Sequence, residues 1–194
     1  MPMSASTTLI RPSMDQLRAV IESPVDTPWE AVRAGDVIDR CDEISDRYAG
    51  RFHALGIDHA ELYRYEHTFL AVHTADAGIV VFDPTFRQFF PDYPQPYFLG
   101  PASELSDWVQ QQGGWNANIN PDPADAEIIT PHSCFCASAL NPLMVHGVGS
   151  DPLARARYIR EWMDALAPIA PEAPDVPWVE RVAQPARSSN ELSP

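Results

Sequence analysis

From about Ile38 to Leu55 the apolar residues fall three or four apart: Cys41, Ile44, Tyr48, Phe52 and Leu55. That is the spacing of one helical face, and it predicts an amphipathic helix stopped by Gly56, a residue that tolerates positive φ. The period then changes to two. Ala60 to Tyr65 alternates, and His67 to His73 alternates again, with Thr68, Leu70 and Val72 on one face and His67, Phe69 and Ala71 on the other. Ala75 to Gly78 reads as a turn, and Ile79 to Phe82 as a buried strand running into Asp83-Pro84. Segments 67–73 and 79–82 therefore predict an antiparallel hairpin with His67 at its entrance and Asp83 at its exit.

The flanks carry weaker signals. Met14 to Ile21 predicts a helix closed by Ser23-Pro24, and Asp26 to Glu30 a helix start with Pro28 in the first turn. The aromatic run Phe86 to Phe98, broken by Pro91, Pro94 and Pro96, predicts a covering loop with a short strand near Tyr97–Leu99. Ser103 to Gln112 predicts a helix capped at Ser103 or Pro101, and Asp151-Pro152 opens a last helix through Leu166. Segment 113–150 is rich in Gly, Asn and Pro and has no assignable period.

Helices interleaved with an antiparallel pair predict an α+β domain. We expect it over 13–167, between a polar tail at 1–12 and a Pro-rich tail at 168–194 that holds six of the 20 prolines, pinned at Trp178 and Val179. A net charge of −14 over 194 residues lacks the basic footprint that nucleic acid requires and disfavours anionic membranes. Arg155, Arg157 and Arg160 form the one basic concentration, read as a solvated helix face. No basic start leads into an apolar core and no apolar run is long enough to span a bilayer. Three cysteines leave at least one thiol free, which suits a reducing compartment, so a cytoplasmic location is expected, with export by a specialised route left open.

The chemistry is concentrated in three consecutive elements: Cys41 near a helix start, His67 and Asp83. A thiol becomes an effective nucleophile when a base removes its proton and a third group holds that base. Taken singly, each residue has an ordinary structural reading: a buried thiol, a strand histidine, a turn aspartate. Their order gives the functional one. The rivals are poorer. His73 lies deeper on the same strand, and His53 shares a helix with Cys41 and cannot approach it. Cys134-Phe135-Cys136 with His132 and His146 lacks a second Cys pair, so no metal site is assigned, and no glycine loop implies a nucleotide cofactor.

Cys41-Asp42-Glu43, Leu55-Gly56-Ile57, His67-x-Phe69-x-x-Val72 and Val81-Phe82-Asp83-Pro84-Thr85 together resemble the core of the transglutaminase-like group of the papain-like superfamily, over about residues 36–90. Its members include transglutaminases, protein glutamine deamidases and arylamine N-acetyltransferases. The resemblance implies a helix carrying the Cys packed on an antiparallel sheet, with Cys41 as nucleophile, His67 as general acid/base and Asp83 as orienter. It implies acyl transfer through a thioester on a protein, peptide or small amide substrate, without cofactor. Phe69 stands where the family often has Trp, and no Gln or Trp directly precedes Cys41. Gln88 and Trp29 are therefore the oxyanion candidates beside the Cys41 backbone N–H. Three activities remain open: hydrolysis or deamidation of an amide, acyltransfer or amide synthesis, and a non-catalytic binding module.

Overall fold

The computed structural model describes residues 9–64, 67–122, 124, 126–136, 139–142 and 151–169. Six helices, α1 (Met14–Ile21), α2 (Trp29–Ala34), α3 (Cys41–Ala54), α4 (Ala102–Gln111), α5 (Pro131–Phe135) and α6 (Pro152–Leu166), accompany five strands. The strands are β1 (His59–Arg64), β2 (His67–Thr74), β3 (Gly78–Asp83), β4 (Phe98–Gly100) and β5 (Ala139–Pro142). They form one antiparallel sheet in the order β4-β3-β2-β1-β5. The class is α+β. Among the described residues no helix is long and apolar enough to cross a membrane.

The helix with period-3.6 apolar spacing is α3. Ile44, Tyr48 and Phe52 are fully buried and meet Leu70, Val72, Val80 and Phe82 on one face of the sheet, with Leu17 and Ile21 of α1 beside them. Gly56 has φ 68 and ends the turn that follows the helix. The hairpin forms as its alternation predicts, with Leu70 opposite Phe82 and Thr74 opposite Gly78. Unlike a half-wet antiparallel sheet, this one is covered on both sides. Phe69, Ala71 and Val81 face a second cluster built from α4, α5 and α6, including Phe135 and Trp162. Every residue of β2 is consequently buried, so its polar members need partners inside the protein.

Phe52 is central to the first cluster, with ring centroids 5.9 Å from Phe82, 6.2 Å from Tyr48 and 5.6 Å from His59. Phe52→Ala should cost about 3–5 kcal/mol, read by urea unfolding.

Three expectations change. The run expected to be a covering loop is core at its start: Phe86, Phe89 and Phe90 are buried, because the prolines that break it begin only at Pro91. The chain joins the domain before residue 13, since Ile10 bridges to Ile57 and Arg11 reaches Asp58. It also stays packed past 167, through the fully buried Ile169. The remaining parts of the two expected tails, with Trp178 and Val179, lie outside the described residues, as does His146.

Candidate active site

α3 begins at Cys41. Its N-cap is Arg40, and neither Asp36 nor Asp39, the acidic residues just upstream, caps it. Asp36 instead accepts from the Arg40 guanidinium at 2.7 Å, while Arg40 also holds Glu43 at 3.1 Å. Asp39 takes left-handed backbone, φ 58, a region that Asp tolerates better than most residues. The chain thus turns sharply into the helix and leaves Cys41 at the first helical position. There the first-turn N–H groups lack intrahelical partners and the helix dipole favours negative charge. Ser45, one turn on, ties α3 to β2 by donating to the Thr68 carbonyl at 2.9 Å.

The hairpin supplies the other two groups. His67 opens β2, Asp83 closes β3, and His67 Nε2 donates to Asp83 Oδ2 at 2.7 Å with both side chains fully buried. The second carboxylate oxygen, Oδ1, accepts from the Thr85 backbone N–H at 2.8 Å and from Thr85 Oγ1 at 3.1 Å. Three aromatic rings enclose the imidazole. Phe69 stacks on it at 5.4 Å, and Phe89 and Phe135 stand edge-on at 5.1 and 5.2 Å. Cys41, Asp42 and Asp46 of α3, Tyr63 and Arg64 of β1, and His67 and Thr68 of β2 line one cleft of about 480 Å³. Cys41 is half-buried, so a reagent can reach it, while Cys134 and Cys136 are buried.

Burial pushes the His67 pKa down. The charge and hydrogen bond of Asp83, together with the hydrogen bond and charge of Cys41, outweigh burial and raise it to about 9. The sign follows from linkage. A group raised above its ordinary 6.5 adds stability that is complete below that value and lost as pH rises through 9. Unfolding free energy should therefore fall between these limits, by at most about 1.4 kcal/mol per pH unit from this group. His67→Gln should flatten that limb in urea titrations; an unchanged slope would remove His67 as its source.

Of the other residues singled out from the sequence, Phe69 lies directly on the imidazole. Gln88 is placed behind the ring, its Nε2 3.3 Å from His67 Nδ1, and it is not among the residues lining the cleft. Trp29 is remote from it: its ring packs edge-on against Tyr97, 6.0 Å away, on the α3 side of the sheet. His73 is held between Asp58 at 3.3 Å and Glu161 at 3.2 Å. His53 sits exposed in the last turn of α3. Among the described residues no group of three His, Cys, Asp or Glu is arranged to hold a metal ion.

Thr85 and Phe135 were missed from the sequence. Thr85 carries a signal, since a hydroxyl residue two positions after an aspartate can donate back to it. Phe135 carries none, because α5 is five residues long and its place over His67 is set by packing. The chain matches no family model, no curated protein and no solved structure.

Proposed function

We propose that this chain is a thiol-dependent acyl-transfer enzyme acting on an amide, as a glutamine deamidase or peptidase-like hydrolase with a transglutaminase-like, papain-like core. One observation carries the reading. His67 commits Nε2 to a buried carboxylate and lines one cleft with Cys41, so Nδ1, which also faces the Gln88 amide, is the nitrogen through which a proton can pass to or from the thiol.

The steps balance. His67 Nδ1 takes the Cys41 proton, and Sγ adds to the amide carbonyl carbon. As the tetrahedral intermediate collapses to a thioester the C–N bond breaks, and the amine or ammonia leaves with the proton from His67. Water then adds to the thioester carbonyl while His67 takes its proton; the C–S bond breaks, the acid leaves and Cys41 regains its proton. Asp83 holds the imidazole in position and stabilises its charged form throughout. The Cys41 backbone N–H, at the uncapped start of α3, is the oxyanion donor this reading uses.

A second reading replaces water with an amine, giving an acyltransferase or amide synthase. The two carboxylates of Asp42 and Asp46, which outnumber the one cation Arg64 in the cleft wall, favour it, since they attract a cationic amine that gives a proton to His67 before its nitrogen adds to the thioester. Product analysis separates the two, as free acid or as a new amide. The test common to both is the pH profile of Cys41 alkylation by iodoacetamide, followed by mass spectrometry, in wild type and His67→Ala.

A further inference from the structure

Gln88 closes a ring of hydrogen bonds whose direction is dictated by what each group can donate. The Asp83 carboxylate only accepts, so the Thr85 hydroxyl, 3.1 Å from Oδ1, must spend its proton there. Thr85 Oγ1 then has lone pairs alone to offer Gln88, 3.2 Å away, so the Gln88 amide turns its nitrogen inward. The second hydrogen of that NH₂ group points to His67 Nδ1 at 3.3 Å. Nδ1 is thereby an acceptor, and the imidazole proton sits on Nε2, where it meets Asp83 Oδ2 at 2.7 Å. The ring Asp83–His67–Gln88–Thr85 is satisfied in one tautomer of the free base. Protonating Nδ1 sets N–H against N–H and breaks it.

We infer that Gln88, oriented by Thr85, is a positioning residue that fixes the tautomer of the His67 free base, with the proton on Nε2 and the Nδ1 lone pair held by the Gln88 amide until the Cys41 proton displaces it. The inference rests on the triad reading above. It resolves a conflict within the site. Asp83 and a neighbouring thiolate both favour the imidazolium, and an imidazole that keeps its proton at working pH cannot accept another. A neutral donor on Nδ1 opposes them without adding charge. Gln88 is 6 % exposed and Thr85 and Asp83 are fully buried, so water does not compete for these bonds. The groups around His67 are Cys41 and Asp42 of α3, Arg64 opposite it on β1, Asp83 of β3, and the rings of Phe89 and Phe135. Arg64 is itself 3.5 Å from His132 Nδ1 on α5. Beside these groups, Gln88 is the neighbour whose hydrogen bond requires an unprotonated Nδ1.

The experiment is a ¹⁵N NMR titration of the histidine side chains in the full chain, with the His67 resonances assigned from the spectrum of His67→Gln. In wild type the free base should carry its proton on Nε2. Gln88→Met, which keeps the length and removes the donor, should raise the His67 midpoint by about one pH unit, a tenfold change in protonation. Gln88→Glu, which places a carboxylate against Nδ1, should raise it further. A proton on Nδ1 in the wild-type free base overturns the inference without any variant being needed. So does a midpoint that Gln88→Met leaves unmoved or lowers while circular dichroism remains native. A merely structural role predicts that unmoved midpoint. If instead Cys41 alkylation proves independent of His67, the triad reading fails, and the tautomer and midpoint still decide the Gln88 assignment.

Discussion

Cys41 should react with iodoacetamide at pH 6 about ten to a hundred times faster than a free cysteine, and His67→Ala should remove that excess. An ordinary thiol has a pKa near 8.5, so only about one molecule in three hundred is thiolate at pH 6. Cys41 stands at the first position of a 14-residue helix and shares a cleft with His67, whose Nε2 is held by buried Asp83, so a base is at hand to take its proton. Cys134 and Cys136 are buried, so the modified peptide identifies the site unambiguously. Asp83→Ala should also lose most of the excess, since it strips the imidazole of its charged partner and leaves burial to push the pKa down. Wild-type and His67→Ala rates that coincide from pH 5 to 9 would sink the triad and move the binding-module reading ahead. Turnover that survives Cys41→Ala on an identified substrate would do the same.

The parts of this site readable in advance are those encoded by local period. Cys41, Ile44, Tyr48 and Phe52 announce α3 through spacing alone, and the alternation from His67 with the turn at Ala75–Gly78 announces the hairpin. Once the hairpin is given, the meeting of His67 and Asp83 follows from antiparallel geometry. What resisted reading depends on long-range packing. The start of α3 could not be read because Arg40 engages Asp36 through its side chain, a choice invisible in propensities. Gln88 was singled out as an oxyanion donor from its nearness to Asp83, yet its direction depends on how the turn at Phe86–Gln88 folds behind the imidazole. Phe86 reads as loop because of the prolines after it, whereas its ring packs 5.6 Å from Phe135, a residue nearly fifty positions away. The second cover of the sheet was missed for the same reason. It is assembled from α4, α5 and α6, and no single period reports it.

The same limit hid the buried polar cluster at the far end of β2, where a substitution should cost as much stability as one in the aromatic core. Asp58 is fully buried, accepts from Tyr158 and from Arg11 Nε at 3.3 Å, and faces His73 Nδ1 at 3.3 Å. Burial and the Asp58 charge push the Tyr158 pKa far above its ordinary value, so its hydroxyl stays protonated and donates. Glu161 on α6 engages the other His73 nitrogen at 3.2 Å and Arg11 at 3.8 Å. Through these groups one carboxylate joins the N-terminal segment, the sheet and the last helix. Asp58→Ala leaves the buried Tyr158 hydroxyl without its acceptor and strips Arg11 and His73 of one of their two carboxylates, a change that costs about 3–5 kcal/mol. For a chain of this size that corresponds to a fall of about 10 °C in melting temperature. A fall of under 2 °C would mean that the cluster does not hold α6 in place. Six residues of extended strand separate His73 from His67, roughly 20 Å, so Asp58→Ala should leave the low-pH alkylation of Cys41 intact in the folded fraction. His67→Ala should remove that reactivity, at a stability cost of its own because buried Asp83 loses its partner. Asp58→Ala thus tests whether closure of the fold at the His73 end of β2 is separable from thiol reactivity at the His67 end.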